Sequence, residues 1–196
     1  MTRDSITLQD IFRASKVIAP LAGKTPLVQS SSLSERAGAN VYLKLETLQK
    51  TGAFKVRGAA NKILSLSADQ RKRGVVTVST GNHGRAVAYV ASRLGLLATV
   101  CISERVPENK VSALQQLGAE LVIHGQSQDE AGVRAAEIEA DRGATMIPPF
   151  DDPFIISGQG TIGLELLADL PEIDTVLVPL SGGGLITGIA LALKSA

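Results

Sequence analysis

Three short stretches carry residue types at spacings that suit chemistry. Ser181 to Leu185 reads SGGGL, directly after one apolar run and directly before a second of helical period. Glycines let a backbone approach a ligand, and the unpaired N–H groups and positive dipole end of a helix start favour a phosphate there. A plain strand-to-helix turn competes with this, but three successive glycines are entropically costly for a turn. A dinucleotide-binding oxidoreductase is disfavoured. Gly182 and Gly184 match the first two glycines of that fingerprint, but Thr187 stands at the third, and no room remains for a ribose-binding acid about 20 residues on. A P-loop is excluded, because no Lys-Ser/Thr pair follows at its spacing.

The second stretch is STGNHGR, Ser79 to Arg85, where an apolar run ends in a polar turn that opens a helix. The hydroxyls of Ser79 and Thr80, the Asn82 amide, the His83 imidazole and free backbone N–H groups suit a carboxylate or another small anion. Capping of the helix by Thr80 or Asn82 is the plainer explanation and is compatible with ligand binding. The third is TGAFKVRGA, Thr51 to Ala59, which puts Lys55 at a helix start. A cation is disfavoured there, and partial burial behind Phe54 lowers the amine's pKa further, as a Schiff-base lysine requires. A solvated surface lysine beside Arg57 remains the alternative, since physics alone does not single out Lys55 among the lysines.

These stretches need elements to hold them. Apolar runs at 75–80, 97–102, 119–124 and 144–147 alternate with helical periods near 83–94, 107–117 and 127–141, the pattern of parallel strands covered by helices on both faces. Similar grammar flanks this block: a strand at 41–46 with a helix over 55–66, and a helix over 158–169 with a strand at 175–180. Cys101 reads as core, His124 as a strand end, Asp151 and Asp152 as part of a turn, and Arg71 to Arg73 as a solvated helix end. The 196 residues are 44% hydrophobic and 20% charged, a globular balance. A net charge of +1, four Phe, two Tyr and no Trp give no footprint for nucleic acid or an anionic membrane. One cysteine and no metal-ligand spacing predict a reducing, cytoplasmic setting without a metal. No signal peptide or membrane-spanning run is visible.

Taken in order, TGAFKVRGA, STGNHGRAVA and SGGGLITG resemble the fold-type-II enzymes that use pyridoxal phosphate, in the threonine dehydratase and serine racemase group. PPFDDPFIISGQGTIGLEL resembles the segment that returns that family's chain to its large domain. VVTVSTGNHGRAVAY and MIPPFDDP are similar to hydroxyectoine-utilisation dehydratases. The resemblance implies an α/β, tryptophan-synthase-β-like fold of two open, mostly parallel sheets with flanking helices. Residues 1–66 and 149–196 would form a large cofactor domain whose C-terminal part is missing, and 67–148 a small domain on a four-stranded parallel sheet. It further implies pyridoxal 5′-phosphate bound to Lys55 as a Schiff base, with Phe54 against its ring and Asn82 on its phenolic oxygen. Ser181, Gly182, Gly183, Gly184 and Leu185 would hold the phosphate. Ser79, Asn82 and His83 would meet the substrate carboxylate.

Lys55 would then take the α-proton, and water would leave a β-hydroxy amino acid to give a 2-oxo acid and ammonia. The family's serine on the opposite face corresponds to Thr80, whose stiffer rotamer favours elimination over serine or aspartate racemisation. Ala53 replaces a serine beside Phe54, and Ser181 replaces the first glycine of the phosphate loop. Arg85 replaces a glutamine, which points to a substrate with a second anionic arm. The resemblance also implies a homodimer in the full-length form. Because the family's further strands and pyridine-nitrogen partner are absent, a catalytically incompetent, cofactor-binding chain is the rival expectation.

Overall fold

A computed structural model describes residues 6–196. The first helix, α1 (Leu8–Ile18), opens on a capping box in which the Thr7 hydroxyl accepts from the Asp10 amide and the Asp10 carboxylate accepts from the Thr7 amide. It buries Ile11, Ala14 and Ile18 along one stripe. Strand β1 (Leu27–Gln29), helix α2 (Ser31–Ala37) and strand β2 (Tyr42–Lys44) follow, with β1 and β2 antiparallel and Leu27 opposite Lys44. After a 3-10 turn at Glu46–Leu48 comes α3 (Lys55–Ser65).

The chain then runs α4 (Ala68–Arg73), β3 (Val75–Val78), α5 (Asn82–Leu94), β4 (Ala98–Ile102), α6 (Glu108–Gln116), β5 (Glu120–Ile123), α7 (Gln128–Arg142) and β6 (Thr145–Met146). These four strands form one parallel sheet in the order β5-β4-β3-β6. Successive strands step outward from β3 to β5, and the chain then crosses back to place β6 on the other side of β3. That reversal makes the carboxyl ends of β3 and β6 a topological switch point, the place where open α/β sheets bind ligands. Two further helices, α8 (Pro153–Asp169) and α9 (Gly184–Ser195), complete the described residues.

The expected elements differ from these in three places. The helix expected over 158–169 begins at Pro153, because Asp152 caps it by accepting from the Phe154 and Ile155 amides, with proline at the first position. The second sheet is, among the described residues, the antiparallel β1–β2 pair. The run 175–180 is not a strand: no other described segment pairs with it, and Leu177 and Leu180 are 92% and 72% exposed. An apolar β-branched run becomes a strand only when a neighbour takes its N–H and C=O groups.

Two features fix α3. One hydrophobic cluster joins Ile18 of α1, Val56, Ala59 and Ile63 of α3, Val75 of β3, Val87 and Val90 of α5, and Ile147. The other is ionic. Arg57, 1% exposed, donates to Glu46 at 2.8 and 2.9 Å, to Glu165 at 2.6 and 3.0 Å, and to Thr161 Oγ1 at 3.0 Å. Lys44 pairs with the same Glu165 at 2.7 Å. Burial alone would lower the Arg57 pKa, but the bonds and charges of Glu46 and Glu165 outweigh it and leave it raised. Glycines bring the helices into direct backbone contact. A Cβ at Gly158 of α8 would fall 2.7 Å from the Arg57 carbonyl oxygen on α3, and one at Gly188 of α9 would fall 2.3 Å from the Ile156 carbonyl oxygen on α8.

Candidate active site

All three sequence stretches open helices, and none of those helices has a side-chain cap. α3 starts from Phe54, α5 from Gly81 and α9 from Gly183, whereas Thr7, Ser30, Ser67, Ser127 and Asp152 cap α1, α2, α4, α7 and α8. The remaining helix, α6, follows Pro107 and is also uncapped. Capping by Thr80 or Asn82 is therefore not what the Ser79 to Arg85 turn does. Its first intrahelical bond runs from the Arg85 amide to the Gly81 carbonyl, so the amides of Asn82, His83 and Gly84 precede the helical ladder. Gly84 is required by the turn itself: a Cβ there would fall 2.1 Å from the Ser79 carbonyl oxygen. Likewise in α9 the Thr187 amide bonds to Gly183, whose φ of +84° suits glycine.

The half-buried Lys55 amine donates to the Pro149 carbonyl at 2.6 Å and lies 5.4 Å from the Phe54 ring centre. Burial pushes its pKa down. Phe54 and Leu185 pack against one cluster of Ile162, Leu166 and Ile189, which brings the lysine segment to the glycine start of α9. His83 joins from the other side. Its ring Nε2 lies 2.9 Å from the Ile147 carbonyl, which also accepts from Thr77 Oγ1 at 2.9 Å. A carbonyl only accepts, so Nε2 carries the proton and Nδ1 is left as an acceptor. Burial, helped by the Lys55 charge and opposed by that hydrogen bond, lowers the His83 pKa to about 4. The imidazole is thus a neutral, inward-facing group at neutral pH, and what it offers an anion is its backbone N–H.

Ser79 and Thr80 are half-buried, Asn82 is exposed at the first position of α5, and Ser181 and Gly182 are exposed before α9. Arg85, two residues past His83 and so on a different face of α5, is exposed. The sequence reading ends a strand at Ile147 and makes Asp151 and Asp152 part of a turn, and it gives no role to the carbonyls of Ile147 and Pro149 that hold His83 and Lys55. The available signal was Pro148-Pro149 directly after a strand, since two residues without N–H groups cannot extend a ladder.

A family model described as "Pyridoxal-phosphate dependent enzyme" matches residues 18–196. The chain belongs to this family. It is 51% identical over 191 residues to a putative threonine dehydratase of Sinorhizobium fredii, covering 97% of this chain and 58% of that protein. It is 47% identical over 190 residues to an L-threonine ammonia-lyase of Thermotoga maritima, covering 97% of this chain and 47% of the relative. The maize serine racemase structure superimposes with a TM-score of 0.93 at 41% identity, covering 96% of this chain and 57% of that one. The chain therefore spans about half the length of the curated relatives it matches. Its fold is the α/β fold of these pyridoxal-phosphate enzymes, with a parallel sheet flanked by helices.

The residues present fit the family's cofactor. A partly desolvated amine at Lys55 suits its aldehyde, the uncapped glycine start of α9 suits its phosphate, and the Phe54 ring beside the amine suits its flat ring. Among the described residues no group of three or more His, Cys, Asp or Glu is placed to hold a metal ion. No described helix is long and apolar enough to cross a membrane.

Proposed function

We propose that this chain is part of a pyridoxal-phosphate-dependent ammonia-lyase that eliminates water from a β-hydroxy amino acid, giving a 2-oxo acid and ammonia. The observation that carries this is the half-buried Lys55 amine, whose charge acts on His83 at the start of α5 and whose neighbour Phe54 packs with Leu185 at the glycine start of α9. Ser181 to Leu185 would hold the cofactor's phosphate on the α9 amides, Phe54 would face its ring and Asn82 its phenolic oxygen. When bound, the cofactor supplies an electron sink for the pair of electrons left at the α-carbon. Lys55 Nζ takes the α-proton, and its lowered pKa keeps more of it unprotonated near neutral pH. The amides of Asn82 and His83, with the Ser79 hydroxyl, receive the substrate carboxylate and orient the α-hydrogen. Thr80 sits in the same turn, and its hydroxyl is the group through which a serine or aspartate racemase activity would run.

Arg85 adds a cation on the first turn of α5, and we assign it to a second anionic arm of the substrate, consistent with a role in hydroxyectoine breakdown. The same proposal has residues 67–148 as a small domain against a larger one formed by 1–66 and 149–196, in a cytoplasmic, homodimeric full-length enzyme. To test it, the 196-residue chain is mixed with pyridoxal 5′-phosphate, reduced with borohydride and peptide-mapped, and ammonia release is followed with a panel of hydroxy amino acids. Label on Lys55 with ammonia release is expected. Label without release leaves a cofactor-binding chain, and no label on Lys55 overturns the proposal. Arg85→Gln should lower kcat/KM for dicarboxylic or otherwise doubly anionic substrates and leave serine and threonine little changed. An unchanged substrate profile removes the role given to Arg85.

A further inference from the structure

The connector from Ile147 to Asp152 touches one residue or more from each of the three helix starts: Lys55, His83, and Gly182 with Gly184. Pro148 and Pro149 have no N–H, so the ladder that β6 begins ends there, and the carbonyls of Ile147 and Pro149 accept from side chains. Ile147 receives Thr77 and His83, and Pro149 receives Lys55. The next residue, Phe150, lies against the glycine start of α9. A Cβ at Gly182 would fall 2.2 Å from its ring, and one at Gly184 would fall 2.7 Å from its carbonyl oxygen. Phe150 is 40% exposed, so its side chain is not enclosed in the core. Beyond it, Asp152 anchors the connector by capping α8 and pairing at 2.5 Å with Lys62, two turns along α3 from Lys55. The contact to the glycines and the contact to the amine are therefore made by adjacent residues, with fixed points on either side.

We propose that Phe150 is a positioning residue that links the anion-binding start of α9 to the Lys55 amine. An anion arriving at Gly182 to Gly184 moves the ring, and the peptide joined to it carries the Pro149 carbonyl away from Lys55 Nζ. The amine then loses an acceptor that favours its charged form and becomes a better nucleophile toward a carbonyl ligand. This link rests on the phosphate and amine roles proposed above and adds an order to them: the phosphate binds first and the amine reacts second.

Pyridoxal, the aldehyde without a phosphate, separates the two events. The Lys55 nitrogen adds to its aldehyde carbon, water leaves, and borohydride delivers hydride to the resulting C=N carbon, fixing the label for peptide mapping. Inorganic phosphate is expected to raise the rate of Lys55 labelling by roughly fivefold, the worth of one ordinary hydrogen bond, with the other lysines unchanged. Phe150→Ala should label at one rate with or without phosphate, and Phe150→Tyr should keep the response. If circular dichroism shows Phe150→Ala unfolded, Phe150→Leu takes its place with the same outcomes. A phosphate-independent rate in the unsubstituted chain, or a full phosphate response in Phe150→Ala, overturns the link. Label at Lys55 with pyridoxal 5′-phosphate but no phosphate response with pyridoxal overturns the link alone. No label at Lys55 with either aldehyde overturns the amine's role and the link together.

Discussion

Replacing Arg57 with methionine tests how the helix that carries Lys55 is held. The guanidinium is 1% exposed and binds both Glu46 and Glu165 through paired contacts of 2.6 to 3.0 Å. Methionine fills much of the volume but leaves two carboxylates facing each other, with Lys44, 2.7 Å from Glu165, as their neighbouring cation and Thr25 donating to each through its hydroxyl or amide. Removing one partner of a buried pair costs about 3 to 5 kcal/mol, chiefly through the charge left behind. For a domain of this size that is a fall in melting temperature of roughly 6 to 20 °C. Denaturant titration and thermal melts followed by circular dichroism measure it. If the bared charges are the cause, adding Glu46→Gln to Arg57→Met should recover much of the loss, since Glu165 keeps Lys44 as its counter-charge and no unpaired carboxylate is left beside it. Two results would refute the reasoning: an Arg57→Met variant within about 1 kcal/mol of the parent, or an Arg57→Met/Glu46→Gln double variant no more stable than the single one.

Two further outcomes are expected. His83 is held near pKa about 4 when folded, against 6.5 when exposed, so the unfolded chain takes up a proton first as pH falls. Its contribution is fully present above about pH 6.5 and is lost between there and about pH 4, up to about 3 kcal/mol. Urea midpoints at pH 7.5 and 5 read this, and the pH slope should flatten in His83→Gln; an unflattened slope assigns the effect to other groups. Gly84→Ala should destabilise by about 1 to 3 kcal/mol, because its Cβ meets a main-chain oxygen of Ser79 that no side-chain rotation can move. It should also weaken binding of small carboxylates at the start of α5, measured by calorimetry, and parental stability with parental affinity would contradict the close approach.

Part of the candidate site is legible in the sequence because its residues announce themselves locally. Glycines and hydroxyls at the ends of apolar runs mark helix starts: Ser79 to Arg85 follows β3 and opens α5, and Ser181 to Leu185 opens α9 after a run that pairs with no other described segment. The alternation of apolar runs and helical periods likewise gave the four strands of the parallel sheet. What escaped depends on groups that every residue has. Ile147 and Pro149 act through main-chain carbonyls, and only the missing N–H of Pro148-Pro149 hinted at it. His83 was chosen by type, but its inward turn onto Ile147 follows from packing at β3 and β6. The run 175–180 was misjudged because its composition describes a strand's faces and says nothing about which neighbour pairs with it. The start of α8 was readable in Asp152-Pro153 as a cap followed by proline, and treating that pair as a plain turn hid it.

The glycine seam among α3, α8 and α9 works as a gauge. Because Gly158 and Gly188 bring main chain against main chain, the separation between the helix of the amine and the helix of the anion loop is set without any rotamer. Substitution elsewhere cannot tune that length gradually, and a single methyl group on the seam would alter it abruptly. On the opposite wall, the first turn of α5, Gly84 is bound by a similar close approach, but the Asn82 and Arg85 side chains beside it stand exposed. In the proposed function, substitutions that change the substrate would therefore fall on exposed positions such as Asn82 and Arg85, while the glycine seam would hold the distance between the α3 and α9 helix starts.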